Sequence, residues 1–206
     1  MSPIILASTS PYRQALLGKL GMPFIAMAPN TDETVLLGEI AEQLVKRLAI
    51  AKASDVGSRL DQGWVIGSDQ ACTIDGTILG KPGTHEQAVS QLRQLSGHAV
   101  TFFTGLCLHD IQTGQQQSIV EPFTVHFRTL DEVTIQNYLQ REQPYDCAGS
   151  FKSEGMGIGL NLCRSIVESH QGRLHAENLY NAGDRQDVTG CCFSFWLPLQ
   201  PVFSAD

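Results

Sequence analysis

Several patterns that would place this chain quickly are missing. The six cysteines, Cys72, Cys107, Cys147, Cys163, Cys191 and Cys192, form no C-x-x-C pair and stand at no histidine spacing that makes a zinc motif. Cys72, Cys107 and Cys192 sit among apolar neighbours and read as buried thiols. No stretch approaches the roughly 20 apolar residues that span a bilayer, so no membrane partner is expected. The opening MSPIILA has neither the charged start nor the long apolar run of a signal peptide, and a cytoplasmic protein is expected. A basic stripe is missing too. The net charge of −7 is spread evenly along the 206 residues, which excludes a protein that tracks the phosphates of a nucleic-acid polymer. It leaves room for a small nucleotide, which needs only a few local cations.

What is present is an ordinary globular composition, 42% hydrophobic and 17% charged, in a chain long enough to bury a core without staples. Repeats and low-complexity tracts are lacking. Pro3 to Ala7 is a short apolar run, then Ser8-Thr9-Ser10-Pro11 opens a helix with Ser10 as N-cap and Pro11 at its first position. That helix carries Ala15, Leu16, Leu17 and Leu20 and stops at Gly21. Strands are predicted over 24–28, 64–68, 98–108 and 119–128, with a hairpin turning at Asp75-Gly76. Apolar spacing predicts helices over 39–55, 85–96 and 131–141. Alternating strands and helices make the fold class α/β.

Three loops carry polar groups where strands end. Ser8 to Arg13 joins a strand to a helix N-terminus, where free N–H groups, hydroxyls and a guanidinium make an anion cradle; alone, it reads more readily as an N-cap beside a solvated arginine. Asp69-Gln70 follows the apolar run Trp64 to Ser68, a place where α/β enzymes put bases and metal ligands, although a turn-capping aspartate is as good a reading. Lys81, in Gly80-Lys81-Pro82, is a cation on a stiff loop or simply a surface lysine. Asp32-Glu33 and the helical Lys52 complete the set.

Taken in order, S-T-S-P-x-R, D-E, a helical K, S-D-Q and G-K-P resemble the Maf family of nucleotide pyrophosphatases. The stretch from Tyr145 to Gly155, with its S-F-K-S-E-G wording, is similar to that family's closing motif, so the resemblance runs from Ile4 to Gly155. It implies a Maf-like, ITPase-related mixed sheet flanked by helices. The activity it implies is that of a hydrolase on acid anhydrides, cutting between the α and β phosphates of a nucleoside triphosphate. Position by position, it makes Asp69 the proton acceptor and puts Ser8, Tyr12, Arg13, Lys52, Gln70, Lys81 and Glu154 on the substrate. Tyr12, Gln70 and Glu154 match the positions of base choice, and the wording resembles the branch that takes 7-methyl-GTP. Glu33 and Asp69 are the expected ligands of a divalent cation, Mg²⁺ or Mn²⁺. Maf-like proteins commonly pair, so the resemblance allows a homodimer, although the sequence itself does not give the oligomeric state.

Beyond Gly155 the resemblance changes. Residues 152–199, from K-S-E-G-M-G-I-G-L through the Gly-Arg-Leu turn at 172–174 to the C-F-S-F-W-L-P-L strand, resemble the end of a sensor histidine kinase ATPase domain. The expectation is therefore a domain over 1–155 and a non-native α+β tail over 156–206, joined by a fusion at the shared K-S-E-G word, with a sequence artefact as the alternative account. The tail lacks the phospho-accepting histidine segment and the other ATP-site boxes, so kinase activity is not expected. Residues 160–169 present Leu160, Cys163, Ile166 and Val167 on one face, and the polar stretch 182–189 is read as a loop. Two further readings stand beside an active enzyme. One is a nucleotide-binding but impaired Maf-like protein, because Glu154 falls at the junction. The other is an interaction module that docks through its kinase-like tail.

Overall fold

The computed structural model describes residues 3–153, 173–181 and 184–196. The chain divides into two compact units, Met1–Ile158 and Gly159–Asp206. In the first, β1 (Ile4–Ala7) leads to α1 (Pro11–Gly18), and β2 (Phe24–Ala26) to the long α2 (Ala41–Gly57). Then come β3 (Trp64–Ile74), β4 (Thr77–Leu79), α3 (His85–Leu95), β5 (Ala99–Asp110), β6 (Gln116–His126) and α4 (Glu132–Glu142), ending in a 3-10 turn at Ala148–Ser150. In the second unit, β7 (Arg173–Asn181) pairs antiparallel with β8 (Asp184–Trp196), so residues 184–189 belong to a strand and not to a loop.

The first unit is a six-stranded mixed sheet in the order β2-β1-β3-β5-β6, with β4 paired to β3. β1 runs parallel to β2 and β3, whereas β3–β5 and β5–β6 are antiparallel. This is the α/β class and the mixed sheet flanked by helices expected from the sequence. The hairpin between β3 and β4 turns at Asp75 and Gly76, both with positive φ (48° and 78°), the backbone a two-residue hairpin requires.

β3 differs from its expected extent. The apolar run ends at Ser68, yet the strand continues to Ile74, because β5 pairs with it all the way from Trp64 to Thr73. β1 stops pairing at Ala7↔Gly67. Asp69 therefore lies within a strand, two residues past the end of its parallel neighbour, where the sheet edge opens.

α2 lies on one face of the sheet. Its Ala49, Ala53 and Val56 pack on Ile5, Val65 and Cys107, and its Leu44, Val45 and Leu48 pack around Ala71. The approach is very close. A Cβ on Gly67 would lie 2.1 Å from the Ala49 carbonyl oxygen, and one on Gly105 2.2 Å from that of Val45. On the other face, Cys72, Leu79, Val100 and Phe102 pack with Leu95 of α3, and α4 leans on α3 through Ile135 and Leu139. Burial pushes the thiols of Cys72 and Cys107 up to about 12 and about 11, so both are inert core groups. The side chain of Cys192 lies outside the described residues. No helix among the described residues is long and apolar enough to cross a membrane.

Candidate active site

Strand periodicity places Asp69 on the same face as Gly67, under α2, and opposite Gly105 in the register. With glycine at both positions the helix sits low enough for Lys52, on its inner side, to reach the carboxylate. Lys52 Nζ donates to Asp69 Oδ1 at 2.6 Å and lies 2.7 Å from Glu33 Oε1. The Lys52 side chain is only 5% exposed, and Asp69 is almost as deep, whereas Glu33 is half exposed. One buried ammonium thus joins two carboxylates that arrive from different elements. Partial burial alone would raise the carboxyl pKa of Glu33. The hydrogen bond from Lys52, with the charges of Lys52, Lys81 and Arg13, outweighs it and holds the group below the usual glutamate value.

The loop that carries Glu33 is braced at both ends. Asp55 Oδ2 accepts from the Asn30 amide (2.8 Å), and Arg59 Nη2 donates to the Ala28 carbonyl (2.7 Å). Arg47 grips Glu39 with Nε (2.6 Å) and Nη2 (2.8 Å) and donates to the Thr34 carbonyl at 3.0 Å. The Arg47 hydrogen bond, helped by the Leu36 amide and set against partial desolvation, lowers the Glu39 carboxyl to about 2. Asp32, by contrast, only closes a local turn on the Thr34 amide.

At the start of α1, Ser10 accepts from the Arg13 amide at 3.4 Å as N-cap, and the buried Ser8 Oγ accepts from the Ser10 amide at 3.1 Å. Arg13 Nη1 donates to the Ser68 carbonyl at 3.0 Å, which ties the loop after β1 to the strand carrying Asp69. Gln70 is oriented from two sides: its Nε2 donates to Thr104 Oγ1 (3.1 Å), and its Oε1 accepts from the buried Ser153 Oγ (3.0 Å). The Gly80-Lys81-Pro82 loop is held by the Gly149 amide and Gln91 Nε2, both donating to the Gly80 carbonyl.

These elements enclose two adjoining cavities. Ser8, Tyr12, Arg13 and Lys52 face one of about 450 Å³, Asp69 faces the other of about 610 Å³, and Glu33, Gln70 and Lys81 border both. Ser8, Tyr12, Arg13, Glu33, Lys52, Asp69, Gln70 and Lys81 are thereby brought to one cleft; Asp32 lines neither cavity, and Glu154 lies outside the described residues. Asp146 and Gln143 also line it and were not anticipated. Neither was Lys152, whose ammonium stands 5.3 Å from the centre of the Tyr12 ring. A separate cavity of about 470 Å³, over Leu92, Phe127, Ile135 and Phe151, contains none of the expected residues.

Chemically, the cleft gathers three cations (Arg13, Lys52, Lys81) around the carboxylates of Glu33 and Asp69, with Asp146 and the Arg47-paired Glu39 on its walls and hydroxyls and a helix N-terminus at its edge. That suits a polyanion. Among the described residues no group of three or more His, Cys, Asp or Glu converges. Two carboxylates are still the donor set Mg²⁺ uses when phosphate oxygens and water complete its shell, so Glu33 and Asp69 fit a divalent ion of that kind.

The sequence matches the Maf-like protein family over residues 3–172. A 7-methyl-GTP pyrophosphatase from Nitrosococcus oceani is 56% identical over 157 residues, 76% of this chain and 79% of that one. Among solved structures, the crystal structure of protein VC0702 from Vibrio cholerae matches 69% of this chain and 72% of its own at 12% identity, with a TM-score of 0.36, too low to argue from. The family match takes in residues 156–172, which the sequence wording had given to a kinase-like fragment; the comparisons do not support that fragment. On the length of the match and the identity to its relative, the chain belongs to the Maf family.

Proposed function

We propose that the cleft hydrolyses a nucleoside triphosphate between its α and β phosphates, with 7-methyl-GTP as the preferred substrate, giving the monophosphate and pyrophosphate. The observation that carries this reading is Lys52 held between Asp69 and Glu33 beside Arg13 and Lys81. The activity named for the Nitrosococcus oceani relative supports the substrate.

In this reading Arg13, Lys52 and Lys81 balance the triphosphate charge, and Ser8 with the start of α1 holds one phosphate. Asp69 orients the attacking water and takes its proton. Lys52 occupies Oδ1, so the water meets the other carboxylate oxygen. The water oxygen bonds to phosphorus as the bond to the leaving phosphate oxygen breaks. Glu33 and Asp69 would hold a divalent ion, which supplies further positive charge to the phosphate oxygens. Tyr12, Gln70 and Glu154 read the base.

Residues 1–155 form the catalytic domain. The kinase-like reading of residues 156–206 rests on sequence wording alone, and incubation with ATP is expected to give no autophosphorylation. Pairing of two copies is supported by the exposed Val35, Leu36, Leu37 and Ile40 beside the cleft, and a Leu37→Glu variant should then sediment as a smaller species. A soluble cytoplasmic enzyme suits a nucleotide substrate.

The test is pyrophosphate release from 7-methyl-GTP, GTP, dTTP and UTP with Mg²⁺ or Mn²⁺. Turnover of 7-methyl-GTP ahead of the others is expected; release from none of the four would overturn the reading.

A further inference from the structure

Lys152 is built into the fold more firmly than a surface lysine needs to be. Phe151 before it packs between Phe102 (5.8 Å between ring centres) and Phe127 (5.0 Å). Ser153 after it is buried and donates to Gln70. Between them, the Lys152 amide donates to the Tyr138 hydroxyl at 3.0 Å and its ammonium to Glu142 Oε2 at 3.0 Å. Tyr138 and Glu142 are one turn apart on α4, so a single helix face anchors both the main chain and the side chain of Lys152. The ammonium then stands over Tyr12 of α1. Tyr12, and not Lys152, is among the side chains that line the cleft.

We propose that Lys152 is a specificity-determining positioning residue, which fixes the Tyr12 ring as the platform on which the nucleotide base is read. A cation held over an aromatic face favours one ring orientation and restrains the others. A ring fixed before binding loses less freedom when a base stacks on it, so the gain appears in affinity and not in the chemical step. The Glu142 hydrogen bond, with the Tyr12 hydroxyl assisting and burial opposing, keeps the ammonium pKa above the ordinary lysine value, so the cation persists across the working pH range. The inference rests on the nucleotide reading of the cleft.

A double-mutant cycle read by calorimetric binding of 7-methyl-GMP, with kcat and KM for 7-methyl-GTP alongside, decides it. Lys152→Met is expected to weaken binding and raise KM about three- to tenfold, with kcat within about twofold. Lys152→Arg, which keeps a cation over the ring, should restore most of the affinity, and Lys152→Met should add nothing in a Tyr12→Ala background. Equal losses in both backgrounds, no loss at all, or a fall in kcat at constant KM would each overturn the proposal. If the wild type binds 7-methyl-GMP but turns over no nucleotide, the pyrophosphatase reading fails while the binding cycle still decides the role of Lys152. Absence of any 7-methyl-GMP binding overturns the role of Lys152, and the pyrophosphatase reading is then decided by turnover alone.

Discussion

Gly67 of β3 lies so close under Ala49 of α2 that one methyl group between them would sit 2.1 Å from the helix carbonyl oxygen. The obstacle is backbone and not a movable side chain, so the helix would have to rise off the sheet. Gly67→Ala is expected to destabilise the fold by about 1–3 kcal/mol, as over-packing does. Because Asp69 shares that face, it should also weaken the Lys52–Asp69 contact. A urea titration alongside turnover checks both effects; an unchanged midpoint would show that the helix can lift at no cost.

Lys52 and its two carboxylates give unequal expectations. Lys52→Met strands Asp69 in a buried place, and about 3 kcal/mol of stability should be lost. Glu33→Gln removes a half-exposed partner and should cost less than about 1 kcal/mol. Denaturant midpoints of the two variants test this, and equal losses would contradict the burial pattern.

The Arg47–Glu39 clip predicts a pH dependence. Glu39 titrates near 2 in the folded chain against an ordinary 4.5, so its pairing stabilises the fold fully above 4.5. That contribution is lost as pH falls from about 4.5 toward 2. Thermal midpoints of Glu39→Gln should therefore vary less over this window than those of the parent. Parallel curves would mean the clip is not formed.

Arg13 gives a test of phosphate binding. Its guanidinium already donates to the Ser68 carbonyl, so the side chain is preorganised at the cavity wall. Arg13→Ala should lower kcat/KM about 10- to 100-fold through a lost charge-assisted hydrogen bond. A change below threefold would place the triphosphate elsewhere.

Removal of divalent ions with a chelator is expected to stop turnover, and added Mg²⁺ or Mn²⁺ to restore it, since Glu33 and Asp69 offer only part of a coordination shell. Full activity in the chelator would contradict the metal assignment.

Much of this was legible in the residues. Ser10 and Pro11 announce the start of α1, Asp75-Gly76 announces the hairpin, and periodic apolar positions mark α2, α3 and α4. The extent of β3 was not legible, because pairing with β5 and not local hydrophobicity carries it past Ser68 to Ile74. The same limit hid the site's supports. Lys152 meets Tyr12, and Ser153 meets Gln70, across most of the domain, and no local spacing records such contacts. The Arg47–Glu39 clip spans a loop-to-helix boundary, so helical i,i+4 rules do not find it. Pattern shows which residues carry charge; only the closed fold shows which charges meet.

The most direct measurement is single-turnover product formation from 7-methyl-GTP by the parent chain and by Asp69→Asn, with substrate binding followed in parallel. The expected result is tight binding by both, with the rate lowered at least about 100-fold in the variant, the size of effect that loss of a positioned base produces. A variant that binds and still releases pyrophosphate at the parent rate would remove Asp69 from the reaction, and with it the role assigned to the Lys52-centred cluster.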